Sequence, residues 1–156
     1  MMHEPAIELP DETEYRAYFF INTYLIGIHA GIQAAHAAVE MTLGYNYLYD
    51  QWASDHKTII VLNGGTHSNL EQIYADLVYS AAHVEYINKY DSGMYMPVSL
   101  FKESMDCLNG ANTAVGIVVP DRLYMAGKNG WCGIDDSYTL DELAIIAHLQ
   151  RYPLAR

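Results

Sequence analysis

Apolar and polar positions change their period several times along the chain, and each change marks an element. Arg16 to Asn22 is a nearly unbroken apolar run of strand length. From about Ala30 to Leu43, Ala30, Ala34, Ala37 and Met41 recur as one helical face, which predicts an alanine-rich helix lying close on a sheet. Tyr45 to Ser54 continues as a short helical stretch carrying Trp52, and His56 to Leu62 is a β-branched second strand stopped by Asn63-Gly64-Gly65. Ser68 with Glu71 has the form of a capping box, and Leu70, Ile73, Leu77 and Val78 carry the helical period toward and past Ala82. Tyr90 to Gly93 reads as a turn, Pro97 to Phe101 as a third strand, and Asn109-Gly110 as a reversal before a fourth strand, Thr113 to Val119, closed by Pro120. Gly127 to Gly133 reads as a loop, and Thr139 with Glu142 caps a last helix that runs to about Arg151, ahead of Pro153. The order β-α-β-α-β-β-α predicts an α/β three-layer sandwich around a four-stranded mixed sheet. That sheet is expected to be mostly parallel, with its last strand antiparallel because the link before it is short.

Size and charge narrow the picture. With 156 residues, about half of them apolar, the chain suits one domain with a proper core, and no apolar run approaches the roughly 20 residues that span a bilayer. Residues 1–14 carry five acids and two prolines without the order of a signal peptide, which predicts a loosely held acidic arm before a single domain over 15–156. The expected setting is cytoplasmic, with Cys107 and Cys132 reduced, since their spacing fits neither a zinc knuckle nor a dithiol motif. Eight Lys and Arg against nineteen acids give a net charge of -11, which disfavours a broad nucleic-acid surface because such binding neutralises phosphates. A small anionic ligand held by backbone N–H groups and a few side chains remains compatible.

The chemistry concentrates on the first helix. His29, Gln33 and His36 fall within roughly 60° of one another around its axis, beside the alanine stripe. His36 and His29 can each serve as a general base or hold a ligand oxygen, because imidazole titrates near neutrality. Their seven-residue separation, about 10.5 Å along a helix, prevents one zinc ion from taking both, so no metal or cofactor is expected. Asn63, Gly64 and Gly65 join a strand to a helix N-terminus, where N–H groups can meet an anion, but no Walker lysine follows. Glu103, just after the third strand, is a candidate acid or base, and Thr113 a candidate to orient it or a ligand. Fourteen tyrosines, several flanking the first helix, offer faces for a nucleobase as well as for the core edge or a dimer interface.

The strand, loop and helix carrying His29-Ala30-Gly31-Ile32-Gln33-Ala34-Ala35-His36-Ala37 resemble the archaeal/eukaryotic-type peptidyl-tRNA hydrolases, which read Lys-x-x-x-Gln-x-x-His-Ala there. The likeness runs from about Arg16 to Pro120, leaving 121–156 as a C-terminal loop and helix. Thr113-Ala114-Val115-Gly116-Ile117-Val118-Val119-Pro120 is similar to that family's fourth strand. His29 stands where the family has Lys, and Glu103 where it has Asp. The resemblance implies a peptidyl-tRNA hydrolase II-like fold, a homodimer, and roles for Gln33 and His36, while the missing Lys and the acidic charge turn the expected substrate away from tRNA. The segment through Asn63-Gly64-Gly65 and the acid after the third strand also resemble a group of uncharacterised tailed-phage proteins, which implies a host-cytoplasmic role in counter-defence against nucleotide signals. The leading expectation is a hydrolase acting on an ester or phosphodiester bond of a small nucleotide-containing ligand. Sequestration without turnover and true peptidyl-tRNA hydrolysis are the alternatives.

Overall fold

The computed structural model describes residues 5–126 and 133–156. It is α/β with two mixed sheets. The larger is built from β2 (Tyr15–Asn22), β3 (Ile59–Gly65), β6 (Val98–Lys102) and β7 (Asn112–Pro120), in the spatial order β3-β2-β7-β6. β2 and β3 pair in parallel, while β7 runs antiparallel to both β2 and β6. The last strand therefore has the expected direction. Three of four strands share one direction, but β7 lies inside the sheet, so only one of the three pairings is parallel.

All nine residues of β7 are buried, as are Phe19, Phe20 and Ile21 of β2, which is why these strands read as apolar runs rather than alternating ones. Successive β2 side chains serve different faces. Phe19 meets the space beside Gly116 together with Met41, and Phe20 meets that beside Gly64 together with Leu70. The first face takes α1 (Ile28–Glu40), whose Ala30, Ala34 and Ala37 are buried and which ends in a 3-10 turn, Met41–Leu43. The second takes α3 (His67–Ala82) through Leu70, Ile73 and Leu77. A Cβ on Gly116 would lie 2.5 Å from Met41 Cε and 2.8 Å from Phe19 Cε1. Gly116→Ala is therefore expected to cost about 1–3 kcal/mol by overpacking, measured as a lower urea midpoint at unchanged slope.

Several local expectations are corrected. Asn63, Gly64 and Gly65 do not end β3 but belong to it, because Asn63 and Gly65 pair with Ile21 and Asn22. Residues 52–56 instead close a wide π turn after α2 (Tyr47–Gln51), and Lys57 turns the chain with φ 54°. The cap of α3 is Thr66, whose hydroxyl accepts from the Asn69 N–H, rather than Ser68. That helix stops at Ala82, where β4 (Tyr86–Asn88) follows; Tyr90 lies in a turn as expected, but Asp91 to Gly93 belong to β5 (Asp91–Met94). These form the smaller sheet with β1 (Ile7–Glu8), in the order β1-β4-β5. Residues 5–14 are tied down rather than loose: Ile7 pairs with Tyr86, Leu9 is buried, and Lys89 pairs with Asp11.

Short helices α4 (Met105–Leu108) and α5 (Asp121–Ala126) flank β7, and α6 (Leu140–Arg151) packs on α3 and α5 behind the capping box of Thr139 and Glu142. The reversal at Asn109-Gly110 has both residues at positive φ. The loop read from Gly127 to Gly133 lies outside the described residues except for Gly133, and Cys132 lies there too; Cys107 is exposed. After α6 the chain runs antiparallel along the outer edge of β3, with Asn63 N–H on Pro153 O and Ala155 N–H on Val61 O. This covers the lower rung of an otherwise open strand edge. No helix among the described residues is long and apolar enough to cross a membrane.

Candidate functional site

Strands β2, β3 and β6 share a direction, so their carboxyl ends, the amino end of β7 and the first turns of α1 and α3 meet at one edge of the large sheet. Ligand sites of α/β folds gather at such an edge. Two irregularities fall there. Phe101 pairs with Ala114 and Lys102 with Asn112, so Thr113 is an extra residue in β7. Ile21 pairs with Asn63 and Asn22 with Gly65, so Gly64 is an extra residue in β3. Bulges re-aim side chains next to sites, and the one in β7 governs the main cluster.

That cluster is a chain of three side chains. Thr113 Oγ1, fully buried, donates to Gln33 Oε1 at 2.7 Å, and Gln33 Nε2 donates to Glu103 Oε2 at 3.2 Å. An ionised carboxylate only accepts, so it draws the amide NH₂ of Gln33 and leaves the amide oxygen for the hydroxyl. The orientation of Gln33 thus follows from its two partners. Glu103 itself is fixed at the backbone, where its N–H donates to Ala111 O at 3.0 Å. Its side chain remains half-buried. The sequence-predicted Gln33, Glu103 and Thr113 are therefore one constellation.

The histidines divide. His36 stacks edge-on against Phe101, with ring centroids 4.4 Å apart, and its Nδ1 is buried without a hydrogen-bond partner. His29 is exposed on the first turn of α1. Among the described residues neither is hydrogen-bonded to Glu103.

Asn63, Gly64 and Gly65 stand at the other end of the edge. Asn63 Oδ1 accepts from Gly65 N–H at 3.0 Å, and its Nδ2 donates to Thr23 Oγ1 at 3.1 Å. The N–H of Gly65 is therefore already taken, contrary to its expected role toward an anion. Gly64 has a packing reason instead, since a Cβ there would lie 2.5 Å from Leu70 Cδ2 and 2.9 Å from Phe20 Cβ.

Asn63 does line a cavity of about 350 Å³, together with Asn22, Thr23, Ile26 and Arg156. Asn22 is positioned by its own bonds, donating to Asn112 O at 3.0 Å and accepting from Tyr24 N–H at 3.1 Å. Next along the chain from Ile26, Gly27, with φ 59°, precedes α1 and its N–H donates to Arg156 O. The helix it opens has no side-chain cap and no acid in its first turn, and the Arg156 oxygen on the Gly27 N–H meets its positive end instead.

Four polar residues escaped the sequence reading: Asn22, His67, Asn112 and Arg156. The Asn112 N–H donates to His67 Nδ1 at 2.8 Å, and Asn112 Nδ2 donates to His67 O at 3.3 Å. That bond makes Nδ1 an acceptor and puts the neutral ring's proton on Nε2. A polar residue closing an apolar strand, as Asn22 does, was the available signal; nothing local marks Arg156.

The molecule is thus an α/β protein with a polar cluster and a ligand-sized cavity at the carboxyl edge of a mixed sheet. No protein-family model matches the sequence, and no curated protein matches it significantly.

Proposed function

We propose that this edge binds a small nucleotide-containing ligand and that Glu103 activates water to cleave an ester or phosphodiester bond in it. The Thr113–Gln33–Glu103 chain carries the reading, because it holds a half-buried carboxylate in a set orientation at the place where α/β folds bind substrates. The cavity has the volume of a small-molecule site. Its Arg156 suits a phosphate, and the exposed Tyr24 beside it suits a base. His29 and His36 on the same helix are further acid and base candidates in this reading. A three-layer, peptidyl-tRNA hydrolase II-like architecture and a phage counter-defence role belong to the same proposal. The net charge of -11 supports a small ligand over tRNA.

The lack of a hydrogen bond between either histidine and Glu103 favours a second reading, in which the ligand is held without turnover. Incubating the purified protein with a panel of cyclic and ADP-ribose-type nucleotides, denaturing it and weighing what is released separates the two. A cleaved product is the expected result. Recovery of the intact nucleotide would establish sequestration, and no binding by any member of the panel would reject both. Release of peptide from peptidyl-tRNA at low salt would instead restore the family's usual substrate.

A further inference from the structure

The two edges of the large sheet differ. The chain's own return after α6 lies along the outer side of β3, whereas no strand among the described residues pairs with the outer side of β6. Pro97 O accepts from Val118 N–H, and Glu103 N–H donates to Ala111 O. Ser99 and Phe101 therefore turn their backbone groups toward β7, and Val98, Leu100 and Lys102 turn theirs outward, with no backbone partner among the described residues. Side chains alternate in the same way. Ser99 and Phe101 face α1, where Ser99 Oγ donates to Ala37 O and Phe101 meets His36, so Val98 and Leu100 face α3. On that face Val98 borders an open groove of about 240 Å³ with Tyr74, Val78 and Ala82 of α3 and with Tyr95 and Met96, and no charged residue lines it. Val78 and Tyr95 remain 40 and 43% exposed.

We propose that the outer edge of β6 binds an extended segment of another protein in which apolar side chains alternate with basic ones. Backbone donors and acceptors that recur at every second residue are met by an added strand and not by a helix, whose own N–H and C=O groups are already spent. A residue placed opposite Val98 or Leu100 directs its side chain to the α3 face, because cross-strand partners share a face, and so enters the groove beside Tyr74 and Val78. Charge decides the rest of the partner's chemistry. Glu40 ends α1, Glu71 shares a helical stripe with Tyr74 and Val78, and Glu103 and Asp106 follow β6, against one base on the strand itself, Lys102. The net charge of -11 draws in a cationic segment and repels a second copy of the chain. The inference stands independently of the ligand reading, since the cavity lies by β3 at the opposite edge of the sheet.

The probe is a seven-residue peptide with blocked ends, Lys-Val-Lys-Val-Lys-Val-Lys, titrated into the protein by calorimetry at low salt. It should bind with a Kd of roughly 10–100 µM, a modest affinity set by a short run of main-chain bonds and a few apolar side chains. The same peptide with glutamate in place of lysine should bind at least about tenfold more weakly. Leu100→Pro removes an outward N–H and leaves the β6–β7 ladder its bonds, so it should weaken the lysine peptide by roughly tenfold or more. Val78→Lys sets a like charge in the groove and should have an effect of about the same size. It alters a side chain that is already partly exposed, so it keeps its fold and its far-UV circular dichroism whether or not position 100 accepts proline. Absence of binding, equal binding of the glutamate peptide, or binding indifferent to Val78→Lys would each overturn the proposal. A concentration-dependent dimer that Leu100→Pro dissolves would give the edge to a second copy and overturn it as well.

Discussion

Arg122→Ala is expected to lower the free energy of unfolding by about 3–5 kcal/mol, the range for breaking a buried ion pair from one side. The reason is Glu142, whose side chain is fully buried in α6. Arg122 reaches it with two nitrogens, Nε to Oε2 at 2.7 Å and Nη2 to Oε1 at 3.1 Å. Tyr86 OH donates to the same carboxylate at 2.8 Å. Burial first, and the nearby carboxylate second, hold the Tyr86 phenol well above its ordinary range, so it stays a donor. Glu142 in turn raises the guanidinium, chiefly by hydrogen bonding. Removing Arg122 leaves the carboxylate in a low-dielectric interior with only the phenol and the Thr139 N–H.

Arg122 also stacks on Tyr138, 3.9 Å from the ring centroid, and donates to Ser137 O, so its loss frees the entry to α6 as well. Arg122→Lys should fall between wild type and Ala, because it keeps the charge and loses the fork and the stacking. Urea unfolding followed by circular dichroism measures both. A loss below about 1 kcal/mol, the worth of an exposed pair, would mean that water reaches Glu142 once the arginine is gone.

Glu103→Gln should reduce turnover of the nucleotide found by the recovery experiment by about 10²–10⁴-fold, the usual contribution of a general base. The substitution keeps the volume and an oxygen for Gln33 Nε2, so the protein should remain folded and still bind. Thr113→Val acts one step back. It leaves Gln33 Oε1 without its donor in a buried position, which should cost about 1–3 kcal/mol of stability and lower kcat more than it raises KM, since Glu103 loses orientation rather than contact. Full turnover in Glu103→Gln would remove it as the base and move the search to His36 and His29.

The large-sheet strands and the three long helices were legible because each has a strong period or a buried run, and burial is local in sequence when a whole strand lies inside. The capping box at Thr139 was legible for a similar reason: both partners lie three residues apart. The same box conceals the larger role of Glu142, whose partners Arg122 and Tyr86 are 20 and 56 residues away. β4 and β5 escaped because strands of three and four residues carry almost no period, and β1 because its parallel partner lies far along the chain. Asn63-Gly64-Gly65 looked like a stop because glycine usually interrupts strands; here the glycine makes room for Leu70 and Phe20.

By itself, the sequence determined the α/β class, the reversed last strand, the alanine face that binds α1 to the sheet, and the presence of polar groups on that helix beside it. Periodicity, capping and loop length are short-range properties, and these features depend on nothing else. Only the tertiary structure joined Gln33 to Glu103, 70 residues away, and to Thr113, 80 away. It also left His29 exposed, turned His36 onto Phe101, and brought Arg156 beside Asn22. Those choices depend on a one-residue bulge in β7 and on where the chain returns after α6, and neither leaves a mark on the spacing of residues along the chain.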